Sequence, residues 1–214
     1  MNAKNVLNLL FPFLCLVYLV SLQFEPYQGQ PYIKALPILV LAILVLSKFK
    51  TGIPYLLFGI GLVFSSAGDV VLAHSFPHSF TIGLGLFLVA HLFYVSSFYK
   101  RNRHSFAMRR AQVAVVLFFA FIMCLLLLPR TGEMTIPVTV YLLTIATMAV
   151  FASVQKEGAL PIFLGAVFFM ISDGIIAYSK FIDPIPQSHL LIMTTYYLAQ
   201  GLLARGVLGV GLKS

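Results

Sequence analysis

The sequence predicts an all-α membrane protein: a polytopic helix bundle with eight transmembrane helices, forming a single domain over residues 1–214. Three observations lead there. Sixty per cent of the residues are hydrophobic and nine per cent charged, with no tryptophan, a balance that would leave a soluble domain of this length without enough polar surface. The apolar residues fall in eight runs of roughly 15 to 22 residues, each able to cross a bilayer core of about 30 Å with variable tilt or local thinning. The basic residues gather in short links between the runs, as membrane topology signals do. That distribution also argues against nucleic acid as the partner of the formal +8 charge.

The first run, 6–22, follows Lys4 and leads into SLQFEP without a small-residue cleavage site, so it reads as a retained helix. The others cover 33–47, 54–73, 80–99, 111–128, 136–154, 159–178 and 189–210. Pro54, Pro137 and Pro161 stand in first turns, where the missing N–H removes no helical bond. The links QGQP, PRTG and DPIPQS are rich in turn formers. Eight crossings put both ends on one side. That side collects Lys4, Lys48, Lys50, Lys100, Arg101, Arg103, Arg109, Arg110, Lys156, Arg205 and Lys213, against Lys34, Arg130 and Lys180 on the other. The bias predicts cytoplasmic termini in a bacterial inner membrane. Cys15 and Cys124 lie inside apolar runs, far apart and without metal-ligand spacing, and read as small buried hydrophobes. Aligning Asp69 with Asp173 also matches Gly61 with Gly165, Phe64 with Phe168 and Ala73 with Ala177, which suggests a duplicated four-helix unit of parallel repeats.

Asp69 and Asp173 stand alone in the runs FGIGLVFSSAGDVVLA and PIFLGAVFFMISDGIIA. A carboxyl at membrane depth costs on the order of 2.5 to 3.5 kcal/mol even on a lenient insertion scale, so both call for an explanation. Each lies about 14 to 15 residues along a helix of the same direction, a rise of roughly 21 to 23 Å, and the two therefore share one depth. Lys34 at the start of the second run, His91 and Tyr94 in the fourth, and Tyr196, Tyr197 and Gln200 in the eighth fall in the same layer. Ser65 and Ser66 lie a turn before Asp69 and Ser172 lies beside Asp173, while Gly61, Gly68, Gly165 and Gly174 allow backbones to approach. The economical inference is a pocket lined by helices two, three, four, seven and eight.

Plainer readings stand beside these. A serine in a membrane helix usually bonds its own backbone, His91 can be a structural histidine, and Lys34 can snorkel to the headgroups. Tyr196 can be an interfacial aromatic with Tyr197 on another face, and the two aspartates can form a structural hydrogen-bond pair.

The segments YIKALPI, FSSAGDVVL, GLFLVAHLFYV, LGAVFFMISDGIIA and TTYYLAQGLLARG, in this order from helix two through helix eight, resemble the lysoplasmalogenase family of bacterial YhhN proteins and eukaryotic transmembrane protein 86. The resemblance implies an eight-helix membrane hydrolase that cleaves the vinyl ether bond of lysoplasmalogens, giving a fatty aldehyde and glycerophosphoethanolamine or glycerophosphocholine. Its polar motif positions fall on Lys34, Ser66, Asp69, His91, Tyr94, Ser172, Asp173, Tyr197 and Gln200. The partner is then a lysophospholipid within the bilayer.

Vinyl ether hydrolysis needs a proton on the far carbon of the double bond and an anion to stabilise the resulting oxocarbenium ion. Two carboxyls in a low-dielectric pocket do not easily both ionise, so the pair is read as dividing one proton, with Asp173 the favoured acid and Asp69 stabilising the cation and activating water. His91 is then placed to relay protons, Tyr197 and Gln200 to orient water or the glycerol hydroxyl, and Lys34 to meet a phosphate. This chemistry requires no metal and no organic cofactor. The rival from another class is a proton-coupled transporter with the aspartates as proton sites. An intramembrane aspartyl protease is a weaker rival, because Ser66 and Gly68 precede Asp69 and the GxGD signature lacks its first glycine.

Overall fold

Each apolar run forms a helix, with ends within a few residues of those expected. In the computed structural model, which describes residues 3–209, these are α1 (Ala3–Phe24), α2 (Gln30–Leu46), α3 (Ile53–Leu72), α4 (Ser79–Lys100), α5 (Arg110–Leu127), α6 (Thr135–Ser153), α7 (Ala159–Phe181) and α8 (Ser188–Leu208). Lys213 and Val210, used above in sorting charges and in bounding the last run, lie outside the described residues. Six helices are long and apolar enough to cross a membrane; α2 and α8 are not among them. The reason is physical. α2 has 17 residues, and α8 carries Thr194, Thr195, Tyr196, Tyr197, Gln200 and Arg205. α8 tolerates this polarity because it is packed by protein along its length, with Tyr196, Tyr197, Gln200, Leu203 and Val207 all buried. α5 is the opposite case. Only Val116 and Leu127 are buried, while Phe118, Phe121 and Leu125 form an outward apolar face suited to lipid.

The tightest packing joins α3 to α4 and α7 to α8, and glycine makes both contacts possible. A Cβ on Gly61 would stand 3.0 Å from the Ala90 carbonyl oxygen, and one on Gly165 would stand 2.9 Å from that of Ala199, so only glycine lets each pair of helices close to that distance. The ends of the helices are fixed differently on the two sides of the bundle. At one, the Arg101 guanidinium donates to Gln155 Oε1 (3.2 Å) and to the carbonyls of Val207 (3.2 Å), Glu157 (3.3 Å) and Gly206 (3.5 Å). A cation there satisfies carbonyls that the last turn of α8 leaves free. Arg205 ties the same end to α1 through the Leu7 carbonyl, which belongs to a π turn over Val6–Leu10. The other end, where α1, α3 and α7 finish and α2, α4 and α8 begin, is hollow.

Candidate active site

Lys34 is held in place by the local weakness of its own helix. Pro37 lies inside α2 and lacks the N–H that would bond one turn back. Side chains from neighbouring helices pin the adjoining turn: the Tyr197 hydroxyl donates to the Lys34 carbonyl at 2.7 Å and Ser66 Oγ to the Ala35 carbonyl at 3.3 Å. Such support is how membrane helices accommodate an interior proline. With its backbone fixed, Lys34 turns inward and its Nζ lies 3.7 Å from Asp69 Oδ1. Asp69 is 2% exposed, and its Oδ2 accepts the Tyr196 hydroxyl at 2.7 Å. At that separation an ion pair is worth on the order of 4 kcal/mol at an effective dielectric of about 20. Asp69 is thus the counter-charge of Lys34.

Asp173 is placed otherwise. Its Oδ2 accepts the Tyr141 hydroxyl at 2.5 Å, and among the described residues no cation pairs with it. Its side chain faces a cavity of about 60 Å³ lined by Leu72, Phe80, Phe87, Met123, Met170 and Ile176, together with Tyr141. His91 stands beside Tyr141, fully buried, its ring 5.3 Å from Tyr141 and 4.7 Å from Phe169, and among the described residues neither ring nitrogen meets a hydrogen-bond partner.

Several expected roles change. The two acids do not share a cavity wall: Asp173 lines the apolar cavity, while Asp69 is enclosed by Lys34 and Tyr196. The tyrosine on Asp69 is Tyr196 rather than Tyr197, whose hydroxyl is spent on the α2 backbone. Tyr94 and Gln200 form a closed buried triad with Ser65: the Tyr94 hydroxyl donates to Gln200 Oε1 and Gln200 Nε2 to Ser65 Oγ, both at 3.1 Å, and Ser65 meets Tyr94 at 3.2 Å. Ser66 and Ser172 clasp neighbouring helices, Ser172 Oγ reaching the Ile192 carbonyl at 3.1 Å, rather than bonding their own. Lys34 does not snorkel outward. Tyr141 carries no signal in the sequence, and Tyr196 is read there as part of the polar layer or as an interfacial aromatic, without a link to Asp69.

A second cavity, of about 560 Å³, opens at the hollow end and is lined by Tyr18, Glu25, Gln30, Lys34 and His189 with apolar neighbours. Leu72, Phe80 and Ile176 line both cavities, so the polar chamber and the apolar one meet at these three side chains. Among the described residues no group of three or more His, Cys, Asp or Glu could hold a metal ion.

The fold and site define a polytopic membrane protein with two intramembrane carboxyls, each bonded to a tyrosine from another helix, beside paired polar and apolar chambers. The chain belongs to the YhhN family, whose pattern matches residues 29–207. It is 37% identical over 188 residues to lysoplasmalogenase TMEM86A of Homo sapiens, covering 80% of this chain and 75% of the relative. With lysoplasmalogenase TMEM86B of Mus musculus it shares 32% over 210 residues, 96% of this chain and 89% of the other. A lysoplasmalogenase of Mycobacterium bovis is 32% identical over 151 residues, 68% of this chain and 58% of that protein. No solved structure matches.

Proposed function

We propose that this protein is a lysoplasmalogenase that hydrolyses the vinyl ether bond of a lysophospholipid taken from the bilayer. The observation that carries the reading, beside the names of the relatives, is the junction of the two chambers. A lysoplasmalogen is polar at one end and hydrocarbon at the other, with its labile bond between them. Its headgroup fits the Lys34 chamber and the start of its chain fits the Asp173 cavity, which sets the vinyl ether at Leu72, Phe80 and Ile176. By volume the apolar cavity has room for roughly four to six water-sized groups. The rest of the chain therefore lies in lipid, beside the outer face of α5.

Asp173 is the acid. It lines an apolar cavity with, among the described residues, no cation paired to it, and Tyr141 fixes its orientation. It protonates the double-bond carbon farther from the ether oxygen, the π pair forming the new C–H bond, and the vinyl ether becomes an oxocarbenium ion. The Asp69 charge, held by Lys34 and Tyr196, stabilises that cation through space. Water from the polar chamber adds to the cationic carbon and returns its proton to Asp173, and the hemiacetal collapses to aldehyde and glycerol hydroxyl. Burial of Asp69 assigns it the electrostatic part rather than contact with water.

The same reading takes all eight helices across the bilayer as one domain of two four-helix halves, with the Arg101 end cytoplasmic and the chambers opening toward the outer leaflet. Its test is aldehyde release from a lysoplasmalogen by the detergent-purified protein. Asp173→Asn is expected to abolish release in a chain that still elutes as a folded species; full activity of that variant refutes the mechanism.

A further inference from the structure

The polar chamber holds more than a phosphate site. Lys34 lines it, and so does a carboxylate that the hydrolytic chemistry does not use. Glu25 follows α1, accepts a hydrogen bond from Gln30 Nε2, and faces His189 Nδ1 at 3.2 Å. The Glu25 side chain is 20% exposed and His189 73%. His189 is thus free to swing into water, whereas Glu25 is fixed on the chamber wall. From Lys34 to Gln30 along α2 is four residues, about 6 Å of rise, a span that a two-carbon arm with charged ends can bridge.

We infer that Glu25 is a specificity-determining residue that selects zwitterionic headgroups, taking the ammonium of a phosphoethanolamine or phosphocholine whose phosphate lies at Lys34. This deepens the reading of the site as a lysophospholipid hydrolase. The order of groups along the ligand (chain, vinyl ether, phosphate, ammonium) matches the order along the protein: apolar cavity, chamber junction, Lys34, Glu25. Opposite charges on the wall of one chamber complement a zwitterion, and they penalise a headgroup that ends in a second negative charge or a bare phosphate. Glu25 displaces His189 to make the contact. Lys180, whose ammonium lies 5.2 Å from the Phe80 ring on the chamber wall, and Arg130, which does not line the chamber, are the other basic side chains sorted to this side.

The test is binding, measured with non-cleavable 1-O-alkyl lysophospholipids of one chain length carrying ethanolamine, choline, glycerol or no group on the phosphate. The wild-type protein in detergent is expected to bind the two zwitterions about tenfold or more tightly than the bare phosphate, a difference of about 1.4 kcal/mol. Glu25→Gln is expected to reduce that ratio to about threefold or less, Glu25→Lys to invert it, and Glu25→Asp to keep its direction. A purely structural role would weaken all four ligands together and leave the ratio alone. Equal ratios in wild type and Glu25→Lys, or no binding of any of the four, overturn the assignment. Because nothing is cleaved in this experiment, failure of aldehyde release would count against the hydrolytic reading and leave the headgroup result standing.

Discussion

Replacing Tyr141 with phenylalanine removes one oxygen and little else. The ring keeps its 5.3 Å edge contact with His91 and its place on the cavity wall, while the 2.5 Å hydrogen bond to Asp173 disappears. A hydrogen bond to a group that is charged for part of the cycle is worth about 1.5 to 3 kcal/mol, and each 1.4 kcal/mol is a factor of about ten in rate. The expected loss in kcat is therefore about 10- to 100-fold, with KM within about threefold of wild type, since the substrate does not contact this hydroxyl in the ground state. The folded state is expected to lose about 1 kcal/mol, a shift in melting temperature of about 2 to 4 °C for a chain of this size. The assay is continuous aldehyde release across a range of lysoplasmalogen concentrations, alongside thermal unfolding in the same detergent. Adding Asp173→Asn to Tyr141→Phe should cost no more than Asp173→Asn alone if the tyrosine acts only through the acid. A kcat within twofold of wild type for Tyr141→Phe would refute the positioning argument.

Lys34→Met leaves the Asp69 carboxyl buried without its partner and should cost about 3 to 5 kcal/mol in chemical unfolding; combining it with Asp69→Asn should recover most of that, and no recovery would show that the pair is not an energetic unit. Ile176→Trp places an indole where the two chambers meet, so turnover should vanish while the melting temperature stays within a few degrees; retained turnover would break the junction argument. Gly158→Ala would set a Cβ 2.1 Å from the Gly206 carbonyl oxygen at a φ of +61° and should destabilise by at least about 1 to 3 kcal/mol. Gly85→Ala, with open space at its Cβ, should instead be neutral or gain about 0.5 to 1 kcal/mol in unfolding measurements.

The helices were legible because apolar runs of membrane length have few other outcomes, and the acids because a lone carboxyl in such a run stands out. Their tyrosine partners were not. Tyr196 and Tyr197 are adjacent and both buried, so the pattern of buried residues along α8 does not reveal which of them meets which neighbour. Tyr141 lies in TVYLLT, where a tyrosine reads as one more large apolar side chain. The pairing of Lys34 with Asp69 depends on how α2 packs against α3, and nothing in the 35 residues from one to the other announces it. Ser66 and Ser172 were assigned by the rule for isolated helices, which omits a neighbour's carbonyl close enough to compete. Glu25 lies in a link and Gln30 and His189 at the very starts of α2 and α8, where polar residues are ordinary and draw no notice.

The Arg101 clamp makes the two ends of the molecule mechanically unequal. One guanidinium ties the end of α4 to the end of α8 and to the link between α6 and α7, so separating those elements means breaking several bonds to a cation at once. At the far end the helix tips are spaced by a void instead. Thermal motion that splays the bundle should be largest there, as in tweezers gripped at the base, and a bulky lipid can be admitted and its fragments shed at one end without loosening the joint at the other.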